Sequence, residues 1–391
     1  MKWNGGITSV TIFLLVLAQP AIAQRGTPNT TDDPIAFLIK RLDLERYKVT
    51  IKGLTQFGDR RQGTDRNRAA VDWIEAQLKS YGCTNTERLK YDYPPPGPTL
   101  PSGTSGAVRS RGFRIPTGVN TDPLKQPDLK LRELNSQPTA PGRREEVYCT
   151  KVGTSRPDEM YIVAAHMDGH GWGEAANDDG SGTALVMELA RIFSAPDVQT
   201  ERSIRFILWN NEETGLNGAR AYVEQRRGLQ GKEDPAGSGK YPEPKWLGMI
   251  QHDMMLFDHG MPRPDGTMSK EQRLEADVNV EFQMNSKMAG ESQTLAWSFE
   301  QANEKYATDY PVTVGSHMSN TDSVPFQDIV PAISVRENER LAHIGNGWDP
   351  QWHQPTDVFA TYTDADFKLG LNAAQTTLGA LAQLTGAKLR P

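Results

Sequence analysis

Residues 161–193 read "YIVAAHMDGHGWGEAANDDGSGTALVMELARIF". The apolar run Met160–Ala165 has the length and β-branched content of a buried strand, and Gly182–Phe193 reads as a buried helix. Between them lie His166, Asp168, His170, Glu174, Asp178 and Asp179, separated by glycines. Open parallel sheets bind ligands outside the carboxyl ends of their strands, where strand gives way to loop and helix. The stretch therefore predicts one strand–loop–helix unit of an α/β protein, with ligand-type side chains placed where such a fold binds.

The alternation extends in both directions. Upstream, Arg66–Tyr81 carries a helical apolar stripe, and Thr86–Tyr93 and Glu146–Val152 read as strands. Downstream, strands are predicted at Ser203–Asn210, Trp246–His252, Val278–Asn285 and Ala332–Arg336, and helices at Leu216–Gln225, Ser292–Tyr306 and Ala365–Leu384. This pattern predicts an α/β three-layer sandwich, a mostly parallel mixed central sheet flanked by helices. Two segments interrupt it. Residues 94–144 hold ten of the 26 prolines and are expected as a surface insertion without helices or core strands. Residues 226–245, rich in Gly, Pro and charge, form a second, shorter insertion.

At 391 residues and 37% apolar content the chain builds a substantial core. A net charge of −6 without a dense Lys/Arg stripe argues against nucleic acid as a partner. Residues 1–23 read as a signal peptide: Lys2, the apolar stretch Ile7–Leu17, then Ala21-Ile22-Ala23 as a cleavage signal. The mature chain, residues 24–391, is expected as one domain, exported to the periplasm or secreted, with no stable membrane association. Only Cys83 and Cys149 are present, so a four-thiolate zinc site is excluded. In an exported chain the two are equally open to pairing or to separate burial.

The remaining ligand-type residues also fall at predicted strand ends. Glu212 and Glu213 follow "SIRFILWN", Asp253 follows "WLGMIQH", and His353 precedes the last helix. Carboxylate and imidazole donors without cysteine suit Zn²⁺ in a catalytic role, or a related first-row metal. Two metals close together need a bridging carboxylate, which a glycine-rich loop is able to deliver.

His-x-Asp at His166–Asp168, "AANDDGSG" at Ala175–Gly182, "NEETGLNGA" at Asn211–Ala219, "HDM" at His252–Met254 and "WHQPTD" at Trp352–Asp357 occur in this order. Together they resemble the co-catalytic zinc peptidases of the aminopeptidase S/aminopeptidase Y type, a group that also contains glutamate carboxypeptidases and glutaminyl cyclases. The resemblance runs from about Arg66 to the C-terminus. It implies two Zn²⁺ per chain: one held by His166, Asp178 and Asp253, the other by Asp178, Glu213 and His353, with Asp178 bridging. It implies Glu212 as general base and Asp168 as acceptor of the free ring N–H of His166. The substrate implied is a peptide, and the activity that of a metallo-exopeptidase, most simply an aminopeptidase. A single-zinc glutaminyl cyclase-like acyltransferase, a carboxypeptidase or dipeptidase, and a non-catalytic binding protein on the same fold are the alternatives. The chain departs from the usual pattern at Ala175, Gln354 and Val358, which bears on loop geometry more than on ligands.

Other residues compete for these roles. Asp179 rivals Asp178, Asp258 rivals Asp253, and Glu212 and Glu213 are open to exchange. His252 should face the core, away from Asp253. His170 is open to either a pocket or a solvated position, and the segment of His317 and Asp322 to contact with substrate. Glu174 is expected in solvent, as are His259 and His343. Trp172, Phe257 and Trp348 are candidate pocket walls or core.

Overall fold

Residues 161–193 fold as the strand, glycine-rich loop and helix that their sequence predicts. The computed structural model describes Met1 and residues 33–93, 118–257, 278–316, 320–337 and 349–390. The expected leader, residues 94–117 of the first insertion, and Asp258, His259, His317, His343 and Trp348 lie outside the described residues. The described residues from Asp33 to Arg390 make one compact unit. The described strands are β1 (Thr86–Tyr93), β2 (Gly142–Lys151), β3 (Arg156–His166), β4 (Val198–Gln199), β5 (Arg202–Trp209), β6 (Lys245–His252), β7 (Val278–Phe282), β8 (Val312–Gly315), β9 (Ala332–Arg336) and β10 (Lys388–Leu389). The α-helices are α1 (Pro34–Ile39), α2 (Leu44–Thr55), α3 (Asp65–Ser80), α4 (Leu129–Asn135), α5 (Gly180–Phe193), α6 (Asn217–Arg226), α7 (Ala289–Tyr306) and α8 (Asp364–Thr385).

Eight strands form one sheet in the order β1-β2-β5-β3-β6-β9-β7-β8, and β4 and β10 form a separate pair. The centre, β5-β3-β6-β9, is parallel; β1 and β2 add antiparallel strands on one side, and β7 runs antiparallel to β9 on the other. The sheet is mixed and flanked on both faces, as the alternation predicts. The side-chain period of two along β3 assigns the faces. Val163 and Ala165 join the larger core with α2, α3, α5, α7 and α8, whereas Met160, Ile162 and Ala164 join a smaller, aromatic core with α6 and Phe326. Helix α5 is buried at every residue but Arg191, which follows from its near-continuous apolar sequence. Helix α8 begins with a reciprocal cap between Thr363 and Asp366 and ends at Gly386 with φ +66°.

Three features depart from the sequence expectation. Helices α1 and α2 and the edge strand β8 were not predicted. The return leg of the proline-rich insertion is not a featureless excursion: it contains α4, whose first N–H groups, on Lys130 and Leu131, donate to Asp128. Its prolines at 123 and 127 precede that helix and so do not interrupt it. The second insertion is anchored by Glu243, fully buried and paired with Arg205 and the Tyr222 hydroxyl. Cys83, just after α3, and Cys149, on β2, form a disulfide with Cα atoms 6.1 Å apart.

Candidate metal centre

The parallel strands β3, β5 and β6 end on the same edge of the sheet, and the turn after each delivers acidic or imidazole side chains. His166, the last residue of β3, has its Nε2 3.2 Å from Asp178 Oδ1 and 3.9 Å from Asp253 Oδ1. The other Asp178 oxygen, Oδ2, lies 3.0 Å from His353 Nε2, and His353 Nε2 lies 2.9 Å from Glu213 Oε2. Two groups result. In each, donor atoms of all three residues lie within 4.8 Å of one another: His166, Asp178 and Asp253, and His170, Glu213 and His353. The Asp178 carboxylate stands between them, one oxygen facing each imidazole.

Asp179 is turned to a different task. Its carboxylate caps α5 through Gly182 N–H at 2.8 Å and accepts the backbone N–H of His166 at 3.1 Å and of Met254 at 3.2 Å. With its oxygens engaged by backbone, it leaves the space between the imidazoles to Asp178. Asp168 also differs from expectation. His166 Nδ1 faces the backbone carbonyl of Asp168 at 2.9 Å rather than its carboxylate, which instead accepts Glu212 N–H at 2.9 Å. That carbonyl fixes the ring tautomer as a carboxylate would. Glu174 is not in solvent: its carboxylate accepts Phe359 N–H at 2.7 Å.

The loops are held largely by residues outside the quoted motifs. The buried Arg60 guanidinium donates to the carbonyls of Met167 (2.7 Å), Glu174 (2.8 Å) and Ala175 (2.7 Å). Asp357 accepts the N–H groups of Asn177 (2.8 Å) and Asp178 (3.1 Å). Arg336 donates to Asp253 Oδ2 at 2.7 Å. Of these, only Asp357 lies within a recognisable motif; the two arginines carry no local signal. Left-handed backbone recurs around the site, at Trp172, Ala175, Asn211, Leu216, Met254 and His353. Such conformations persist where surrounding structure holds them, and they gather at functional sites. Gly171, at φ +96°, packs so closely on His353 that a Cβ would come within 2.3 Å of its backbone.

The electrostatics describe a pocket for positive charge. Burial works to lower the His353 pKa, yet Glu213 and Asp178 push it up to about 10. His166 is likewise raised against its burial, by Glu212, Asp178 and Asp179. Asp178 is held below the usual carboxylate range: burial would raise it, but contacts with both imidazoles prevail. The Glu212 carboxyl is raised well above that range, first by desolvation and then by Asp322, Glu213 and Asp253. Among the described residues Glu213 Oε1 is buried without a hydrogen bond, and Asp178 Oδ2, 3.0 Å from His353 Nε2, lacks the geometry of one. Buried acceptors left unmatched are costly, and a cation satisfies them. The donor set and its orphaned oxygens thus fit zinc. The cleft above the groups, about 390 Å³, is lined also by Glu212, Leu216, Arg220 and Trp352.

A mixed α/β sandwich with carboxylate and imidazole groups gathered at the carboxyl edge of its parallel strands defines the class of zinc metallopeptidases. The profile of peptidase family M28 matches residues 147–368, and the chain belongs to that family. Aminopeptidase YwaD of Bacillus subtilis is 30% identical over 123 residues, 32% of this chain and 26% of that protein. The match thus spans about a quarter of that relative's length. Among solved structures, an aminopeptidase from Aneurinibacillus sp. strain AM-1 superposes with a TM-score of 0.59 at 19% identity, covering 91% of this chain and 96% of that one. Porphyromonas gingivalis glutaminyl cyclase superposes with a TM-score of 0.55 at 16% identity, covering 88% and 99%. Identities this low carry the fold alone, and the fold is common to both activities.

Proposed function

We propose that this protein is an exported di-zinc exopeptidase, specifically an aminopeptidase, in which residues 24–391 act as one peptidase domain after removal of residues 1–23. The observation that carries this reading is the Asp178 carboxylate, with Oδ1 3.2 Å from His166 Nε2 and Oδ2 3.0 Å from His353 Nε2. A bridging carboxylate has this placement, and a single-zinc site has no need of it. His166 and Asp253 would complete one zinc site; Glu213 and His353 would complete the other. The disulfide supports export, since such bonds persist in oxidising compartments. Among the described residues no helix is long and apolar enough to cross a membrane.

Bound zinc would supply Lewis acidity, making water more acidic and polarising a peptide carbonyl. The protein's own residues supply the rest. Glu212 borders the cleft beside the two groups, where its carboxylate is placed to take a proton from water and pass it to the leaving amine. Asp168 holds Glu212 by its backbone N–H, placing that carboxyl beside the two groups. The Asp168 carbonyl keeps the His166 Nε2 lone pair facing inward. Arg336 orients Asp253.

The test is hydrolysis of a set of peptides with free or acetylated N-termini, read by mass spectrometry, before and after metal removal. Stepwise loss of N-terminal residues from the free peptides only, abolished by chelator and restored by zinc, is the expected result. Trimming from the C-terminus would replace the aminopeptidase reading with a carboxypeptidase. Hydrolysis that survives exhaustive metal removal would overturn the metallopeptidase reading.

A further inference from the structure

The two-metal reading assigns Asp178, Glu213 and His353 to one zinc and gives His170 no role. Yet His170 Nε2 lies 2.9 Å from Glu213 Oε2, the same oxygen that His353 Nε2 approaches at 2.9 Å. The two rings meet edge to face, with centroids 4.0 Å apart and planes at 88°. His170 Nε2 and Glu213 Oε1 are buried and make no hydrogen bond, and the Glu213 side chain is only 6% exposed. Two imidazole nitrogens converge on one carboxylate, and neither the ring nor the carboxylate finds its full set of partners among the described residues. A hydrogen bond between His170 and Glu213 would leave the remaining oxygen unmatched, whereas a cation among the three side chains would satisfy them together.

The geometry points to His170 as a ligand of this metal, giving a site of four protein donors: Asp178, His170, Glu213 and His353. The other site, His166, Asp178 and Asp253, has three. Four protein donors close a tetrahedral zinc site, while three leave a position open. The two sites therefore divide the work. Zinc held by His170, Asp178, Glu213 and His353 would be the more tightly bound, and zinc held by His166, Asp178 and Asp253 would be the more exchangeable, with a position left for substrate. This inference rests on the two-metal reading of the same site.

The experiment uses the full mature protein, with zinc content measured by mass spectrometry and affinity by competition with a chromophoric chelator. Wild type should hold two zinc ions, one resisting chelation far longer than the other. Losing a residue that merely orients a ligand costs about 10–100-fold in metal affinity, so loss of a direct ligand in His170→Ala should weaken the tight site by at least ~100-fold. His170→Gln, which keeps polarity, should fail in the same way, and circular dichroism on both checks the fold. His170→Cys loaded with Co²⁺ should show a thiolate-to-cobalt charge-transfer band, a signature that a structural role would not produce. Unchanged zinc affinity in His170→Ala, with no such band in His170→Cys, would overturn the assignment while leaving the two-metal reading intact. A wild type that never holds more than one zinc would overturn both.

Discussion

His252 and Asp253 are neighbours that face opposite ways at the end of β6. Asp253 meets His166 and Arg336 in the site, while His252 is fully buried behind it, with Nδ1 3.1 Å from the Ala164 carbonyl and Nε2 2.9 Å from Thr377 Oγ1. The alternation of a strand is enough to predict this division. Burial pushes the His252 pKa down to about 4, opposed by its bond to Ala164. The neutral ring is the folded form, so the unfolded chain binds its proton first as pH falls. His252 therefore contributes stability that is complete above the ordinary histidine pKa and is lost as pH falls towards 4. The loss amounts to roughly 2–3 kcal/mol by pH 4.5. Denaturant unfolding of metal-free wild type and His252→Asn at pH 7.5 and 4.5 checks this: the variant should show a pH dependence flatter by about that amount. Equal slopes would mean that His252 is protonated in the native state.

At the scale of elements, the carboxyl ends of the parallel strands fix where the ligands lie, and two loops fix how they point. Those loops are braced by the segment before β2, which composition marks only as proline-rich. Asn135, at the end of α4, donates to the Gly173 carbonyl at 2.7 Å and accepts Asp59 N–H at 3.1 Å. Gln126 donates to the carbonyls of Trp172 (2.7 Å) and Pro355 (2.9 Å), joining the loop before α5 to the loop of His353. Asn135→Ala would leave two buried backbone groups unmatched, at about 1–3 kcal/mol each. The expected outcome is a lower unfolding midpoint, together with faster hydrogen exchange at residues 171–175. A midpoint equal to wild type would show that water replaces the amide at no cost.

Across the whole molecule, the fold was legible because hydrophobic runs of strand and helix length alternate from residue 160 onward, set apart by polar, glycine- or proline-containing stretches. The candidate site was visible for a related reason: His166, Glu212, Glu213 and Asp253 stand where those runs end, and Asp178 and His353 lie in motifs of the loops before the helices. What was hidden depends on contacts between distant segments. The clamp by Arg60, the Asn135 and Gln126 braces, and the choice of the Asp168 carbonyl over its carboxylate leave no periodicity or spacing to read. Helix α2 was missed although Ile51 and Leu54 are fully buried, because its apolar stripe is interrupted by polar residues that the rest of the fold covers. His170 was visible as a ligand-type residue, but only its meeting with Glu213 and His353 separates it from an ordinary loop histidine.

The central claim is a division of labour between adjacent glutamates: Glu213 holds metal and Glu212 moves a proton. Its most direct test is zinc content and turnover of Glu212→Gln and Glu213→Gln, measured side by side. Glu212→Gln should keep both zinc ions and lose about 10²–10⁴-fold in turnover, since the amide retains shape but accepts no proton. Glu213→Gln should lose occupancy of one zinc, a neutral amide being the poorer ligand. Loss of zinc in Glu212→Gln with both ions retained in Glu213→Gln, or near-wild-type turnover in Glu212→Gln, would contradict it.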